Sequence, residues 1–148
     1  MDRGLAVLLT AAVGGLIALQ APINANLGKA TGSLPAALIS FLVGTVVLAS
    51  IVVLTGNAGK VSSALDVRWY YLIGGVLGAA YVTAALITVR EIGAGGVVAA
   101  TITAQLTASV ALDRAGAFGL EQTPLSWERL LGVGLLLAGT YLVVSTTS

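Results

Sequence analysis

Gly4-Leu-Ala-Val-Leu-Leu-Thr-Ala-Ala-Val-Gly-Gly-Leu-Ile-Ala-Leu-Gln-Ala-Pro-Ile-Asn-Ala-Asn-Leu-Gly28 runs for 25 residues without one Asp, Glu, Lys or Arg. A helix that crosses the hydrocarbon core of a bilayer needs about 20 predominantly apolar residues, so this stretch is long enough to span. Four more charge-free windows follow, Ala30–Gly59, Trp69–Val89, Ile92–Leu112 and Leu130–Ser148, of 30, 21, 21 and 19 residues. The 13 charged residues of the 148 all fall at the edges of these windows or between them. Hydrophobic residues make up 57% of the chain, and mean hydropathy is +1.02. A soluble domain carries about a quarter charged residues, and 9% cannot clothe a globular surface.

The spanning element is the helix, because lipid offers no partner to a stray backbone N–H or C=O. A transmembrane barrel would need segments of about ten residues alternating in polarity, and Gly4–Leu19 and Leu130–Val144 show no alternation. The chain therefore reads as an all-α integral membrane protein. Residues 1–148 form one five-helix domain, with spans at about 5–25, 34–55, 69–89, 94–113 and 127–145. Short loops leave no room within this stretch for a nucleotide-binding or catalytic domain. There are no cysteines and no histidines, which removes disulfides, thiolate chemistry and the usual zinc ligands. No cofactor, no metal and no enzymatic activity are expected. The net charge of +1 gives no reason to invoke nucleic acid.

Span 1 meets Pro22 within Gln20-Ala-Pro-Ile-Asn-Ala-Asn26. Proline deletes a helical hydrogen bond and crowds the preceding turn, so a kink or an end is expected there. Ser33-Leu34-Pro35 reads as a helix start, with a capping hydroxyl and a proline in the first turn. Trp69-Tyr70-Tyr71 and Trp127, at the starts of spans 3 and 5, suit the headgroup boundary. The short turn Glu91-Ile-Gly-Ala-Gly-Gly96 predicts an antiparallel hairpin of spans 3 and 4, and the polar tail Ser145–Ser148 follows span 5. The apolar start resembles a signal peptide, but its length and the four spans after it favour an uncleaved first helix.

Positive residues in short loops set orientation. Arg3, Lys60, Arg68, Arg114 and Arg129 share the N-terminal side, against Lys29 and Arg90 opposite. This predicts a cytoplasmic N-terminus and an outside C-terminus in a bacterial-type inner membrane. An odd number of spans also means that a second copy can pair upside down. That is the geometry of inverted-repeat transporters, whose sites form between the halves.

Polar residues inside the spans are the functional candidates. Thr101, Gln105, Ser109 and Asp113 recur every four residues along span 4, either lining a solute path or bonding between helices. Gly96, Ala100, Ala104 and Ala108 form a small-residue stripe beside them, and Gly74 and Gly78 make a similar surface on span 3. Such stripes let helix backbones approach closely. Gln20 and Asn24 lie four apart around Pro22, so their amides share a face, and Tyr81 sits near the middle of span 3. Asp113 and Arg114 are a candidate ion pair or gate at the end of span 4. No carboxylate or base lies deep in a span, which speaks against proton antiport through an intramembrane acid.

Four segments resemble the YdcZ-like family, a five-span branch of the drug/metabolite transporter superfamily. They are Gly15 to Gly28, Ala37-Leu-Ile-Ser-Phe-Leu-Val-Gly-Thr45, Trp69 to Gly78 with Tyr81-Val82, and Gln105 through Asp113-Arg114 to Phe118-Gly119. The resemblance implies kinship with ten-span EamA-type transporters and with four-span small multidrug resistance exporters. The latter work as antiparallel dimers and use a glutamate in their first helix, for which span 1 here has no counterpart.

The expectation is a transporter of a small organic solute, working by alternating access as an antiparallel ten-helix dimer. Gln20, Asn24, Tyr81, Thr101, Gln105 and Ser109 would line its cavity. The partners are lipid, the solute, and either a second copy by dual insertion or an oppositely oriented paralogue. A passive channel or facilitator, and a non-transporting subunit that pairs with another protein, are the alternatives. Saturable flux would separate a transporter from a channel, and co-purification with an unrelated protein would point to the subunit.

Overall fold

In a computed structural model, residues 2–119 and 121–146 are described, and these contain helices and no strands. Helix α1 covers Arg3–Thr31 and α2 covers Ser33–Leu54. A continuous run of helical residues, Ile73–Ala115, is interrupted at Gly93, whose φ of 68° and ψ of 169° are not helical. This divides it into α3, residues 73–92, and α4, residues 94–115, each close to the ~20 residues of one span. Helix α5 covers Trp127–Ser145. Of the polar tail after α5, Thr147 and Ser148 lie outside the described residues. Short 3₁₀ segments, Ala58–Leu65, Trp69–Leu72 and Ala117–Gly119, occupy the loops.

Helix α1 continues for nine residues beyond Pro22, so the proline does not end it. Proline is tolerated inside membrane helices where neighbouring helices, Ser or Thr side chains or ordered waters satisfy the freed carbonyl. The Asp2 carboxylate accepts from the Gly4 and Leu5 amides at 2.6 and 3.1 Å and caps the first turn. Helix α2 is capped differently from the expectation at Ser33. Gly32, with φ 90° and ψ 158°, stands at its N-cap and Ser33 is already helical. Pro35 falls in the first turn, where its missing N–H costs nothing. Within the spans, hydroxyls turn back on their own helices. Thr10 donates to the Ala6 carbonyl, Thr45 to Phe41 and Ser50 to Val46, at 2.8 to 2.9 Å.

The chain divides into two compact units, one of Met1–Ala18 with Thr88–Ser148, the other of Leu19–Ile87. In both, large apolar side chains such as Leu8, Leu38 and Leu135 are exposed; the Leu19–Ile87 unit buries mostly alanines, and the other buries Gly96, Val97, Thr103 and Val110 among its described residues. That inverts the pattern of a water-soluble core. Lipid is as apolar as leucine, so close packing of small residues holds helices together rather than expulsion of water. In the Leu19–Ile87 unit, Ala36, Ala37, Val82 and Leu86 form the core, with Leu27, Phe41 and Tyr81 packed against it.

In the other unit the seam between α4 and α5 is polar. Thr103 is 5% exposed, and its hydroxyl lies 2.7 Å from that of Thr140. Thr140 donates to the Ala99 carbonyl at 3.0 Å, and the Leu136 carbonyl lies 3.3 Å from the Thr103 hydroxyl. Interhelical bonds of this kind average about 0.6 kcal/mol and reach about 1.7. Thr103→Val keeps the shape and removes the bonds, so it is expected to lower unfolding free energy in detergent by about 0.5–2 kcal/mol. In a double-mutant cycle with Thr140→Val, the two losses are expected to be less than additive. Additive losses would mean that the hydroxyls do not act on each other.

Candidate functional site

The Leu19–Ile87 unit brings three of the candidate residues together. Gln20 and Asn24 lie one turn apart on α1. With Ala21 from the same helix, and Tyr81, Val82 and Ala85 from α3, they line one small crevice. Its volume is about 10 Å³, room for about one water-sized group. Asn24 is 6% exposed, and its Nδ2 has no hydrogen-bond partner among the described residues. An amide donor left unbonded in an apolar setting costs about 1–3 kcal/mol. Gln20 and Tyr81 are half-buried.

A second, roomier crevice of about 200 Å³ lies in the same unit, lined by Gln20, Ser40, Phe41, Gly44, Thr45 and Leu48. Gln20 thus serves both. The Thr45 hydroxyl is occupied by the Phe41 carbonyl. Phe41 lies across from Gly78, whose position would place a Cβ 3.5 Å from the ring. Gly78 is therefore a close helix contact, whereas Gly74 is exposed with open space around it. No ionisable side chain other than the Tyr81 phenol lines either crevice.

The candidates on α4 belong to the other unit. Thr101 is half-buried, while Gln105 and Ser109 are exposed, and the Ser109 hydroxyl donates to the Leu106 carbonyl at 3.0 Å. Of the small-residue stripe, Gly96 is buried and Ala100, Ala104 and Ala108 are exposed. The ion pair of Asp113 is formed with Arg129, Oδ2 to Nη1 at 3.1 Å, and not with its neighbour Arg114. The Asp113 carbonyl also accepts from the Thr123 amide at 3.0 Å. These contacts fasten the loop after α4 to the start of α5, where the Ser126 hydroxyl caps by accepting from the Arg129 amide. Both charges are about one-third exposed, and such pairs contribute roughly 0–1 kcal/mol.

The Thr103–Thr140 seam is a polar contact that the spacing of the sequence does not single out. Thr103 lies off the face of Thr101, Gln105 and Ser109, so their four-residue spacing does not point to it.

Among known proteins, a family model described as "Putative inner membrane exporter, YdcZ" matches residues 5–142. No curated protein and no solved structure matches the chain.

Proposed function

We propose, because the chain belongs to the YdcZ family, that it moves a small organic solute out across the inner membrane by alternating access between two oppositely oriented copies. The chain is a multi-pass membrane protein, and the family's description as an exporter supports transport rather than catalysis. The observation that carries the finer reading is the meeting of Gln20, Asn24 and Tyr81 in one crevice whose other lining residues are Ala21, Val82 and Ala85. Polar groups of this kind cost free energy inside hydrocarbon unless they are hydrogen-bonded, so three of them around one space suit a ligand that bonds them. The solute would be held by neutral hydrogen bonds, since no carboxylate or base stands in either crevice.

Gln105 supports the pairing. It is exposed on α4 with Ala100, Ala104 and Ala108 on the same helix. A glutamine amide facing acyl chains is unfavourable by several kcal/mol, and small residues permit close helix approach. A second, inverted copy seated on this face would cover the amide and add its own crevice across the dimer.

Efflux from proteoliposomes, measured over a panel of labelled small solutes, tests the proposal. Saturable efflux is expected for the wild type. Gln20→Ala is expected to lower kcat/KM at least about tenfold, equivalent to about 1.4 kcal/mol of lost stabilisation. Gln105→Ala is expected to weaken crosslinking between copies. Unchanged transport in both variants would remove these residues from the mechanism. Flux that rises linearly with concentration would favour a passive channel, the reading that best fits the missing coupling carboxylate.

A further inference from the structure

Asn24 presents a problem that the transport reading leaves open. Its Nδ2 is enclosed and without a partner among the described residues, yet the crevice it lines admits only one water-sized group. The other polar groups there are the Gln20 amide and the Tyr81 hydroxyl, and the rest of the lining is Ala21, Val82 and Ala85. Ordered waters usually make about three hydrogen bonds, and Asn24, Gln20 and Tyr81 are three polar groups around this space, so it is a position built for one hydrogen-bonding atom. An acceptor group can displace a water there provided that it reproduces the bond to the amide. The Asn24 amide and the Tyr81 hydroxyl can both donate, which suits one oxygen with two lone pairs.

Charge narrows the class further. No Lys or Arg lines either crevice, so an oxyanion would be stripped of water with no counter-ion. Size narrows it again. The second crevice, which shares Gln20 and is walled by Phe41, Gly44 and Leu48, holds about 200 Å³, below the ~300–1,000 Å³ of drug-sized pockets. We infer that Asn24 Nδ2 is the recognition donor for a compact neutral acceptor oxygen, such as a carbonyl, carried by a solute whose small apolar body rests against Phe41. This rests on the transport reading for its biological meaning, though not for its chemistry. An ester carbonyl of a phospholipid offers the same oxygen, so lipid is the competing source.

The test compares two probes of one shape, acetophenone and α-methylstyrene, which differ by a carbonyl oxygen in place of a methylene. The full chain carries three asparagines, Asn24, Asn26 and Asn57, so ¹⁵N-asparagine labelling gives few side-chain amide signals. In nanodiscs of ether-linked phospholipid, which has no ester carbonyl, acetophenone is expected to displace the Asn24 amide resonance saturably. It should bind at least about tenfold tighter than α-methylstyrene, and Asn57 should not respond. Asn24→Leu is expected to bring the two affinities together, and the wild-type comparison stands without that variant. Equal affinities, or no response at Asn24, overturn the inference. A resonance already displaced in ester-linked lipid and indifferent to acetophenone assigns the slot to lipid and overturns the solute reading. Binding through Asn24 without efflux of any solute would sink the transport proposal and leave this inference standing. Undiminished efflux of solutes lacking an acceptor would do the reverse.

Discussion

Leu86→Ala is expected to destabilise the protein by about 1–3 kcal/mol, less than the same change costs in a water-soluble core. Leu86 is 0% exposed and sits among Ala36, Ala37 and Val82. In soluble proteins Leu→Ala costs about 2.7–5 kcal/mol, a sum of lost transfer energy and of about 24 cal/mol per Å³ of cavity left behind. The transfer part, about 0.8 kcal/mol per carbon removed, largely vanishes when the unfolded reference is also bathed in hydrocarbon. The cavity part stays. Ala36 and Ala37 cannot reach into the void, so how much of it remains depends on Val82 and on the Leu27, Phe41 and Tyr81 side chains packed against the cluster. Leu38 on α2 is 61% exposed, and Leu38→Ala is expected to change stability by less than about 0.5 kcal/mol, since acyl chains fill what is removed. Reversible unfolding in mixed detergent, with both variants, checks the contrast. Equal losses at the two positions would show that the alanine-rich cluster is not what holds this unit.

The same solvent argument explains which parts of the fold were legible. Charge is so costly in lipid that its spacing marked the spans, and helices are where those windows placed them. Boundaries were harder. Proline rules allowed a kink or an end at Pro22, and it is not an end, since α1 runs on to Thr31. Ser33 carried the marks of a cap, but Gly32 takes that position, with φ 90° and ψ 158°, a backbone that favours glycine. Glycines at 93, 95 and 96 all marked the turn between α3 and α4. Nothing in composition distinguishes the one that adopts positive φ.

For the site, residue type decided legibility. Gln20 and Asn24 stood out because a primary amide cannot satisfy itself within a helix, and the four-residue spacing put them on one face. Threonine gave no such alarm. Its hydroxyl can bond its own helix, as Thr107 does to the Thr103 carbonyl at 2.8 Å. The bonded seam through Thr103 and Thr140 was therefore silent in sequence. Gln105 was read as a cavity residue, and its exposure on the single chain makes it the strongest motive for a second copy under the proposal above.

Gly93→Val is expected to be the most damaging single change outside the crevices, and Gly95→Ala, two residues away, among the mildest. At φ 68° and ψ 169° Gly93 occupies backbone space that is essentially restricted to glycine. Forcing a Cβ into that region costs about 1–3 kcal/mol for alanine, and valine adds the stiffness of a branched Cβ. We expect losses of about 2 kcal/mol for Gly93→Ala and about 3 or more for Gly93→Val. Gly32, at φ 90° and ψ 158°, makes the break between α1 and α2 in the same backbone region, so Gly32→Ala should cost as much as Gly93→Ala. Gly95 is helical, and a Cβ there would stand an ordinary 3.8 Å from Val143. Since glycine inside a helix is about 1 kcal/mol worse than alanine, Gly95→Ala should be neutral or stabilising. Unfolding free energies for the four variants in one detergent decide the matter. If Gly93→Ala and Gly95→Ala prove equally harmless, α3 and α4 can join without the glycine-only backbone. Their separation into two spans must then come from the membrane and from packing.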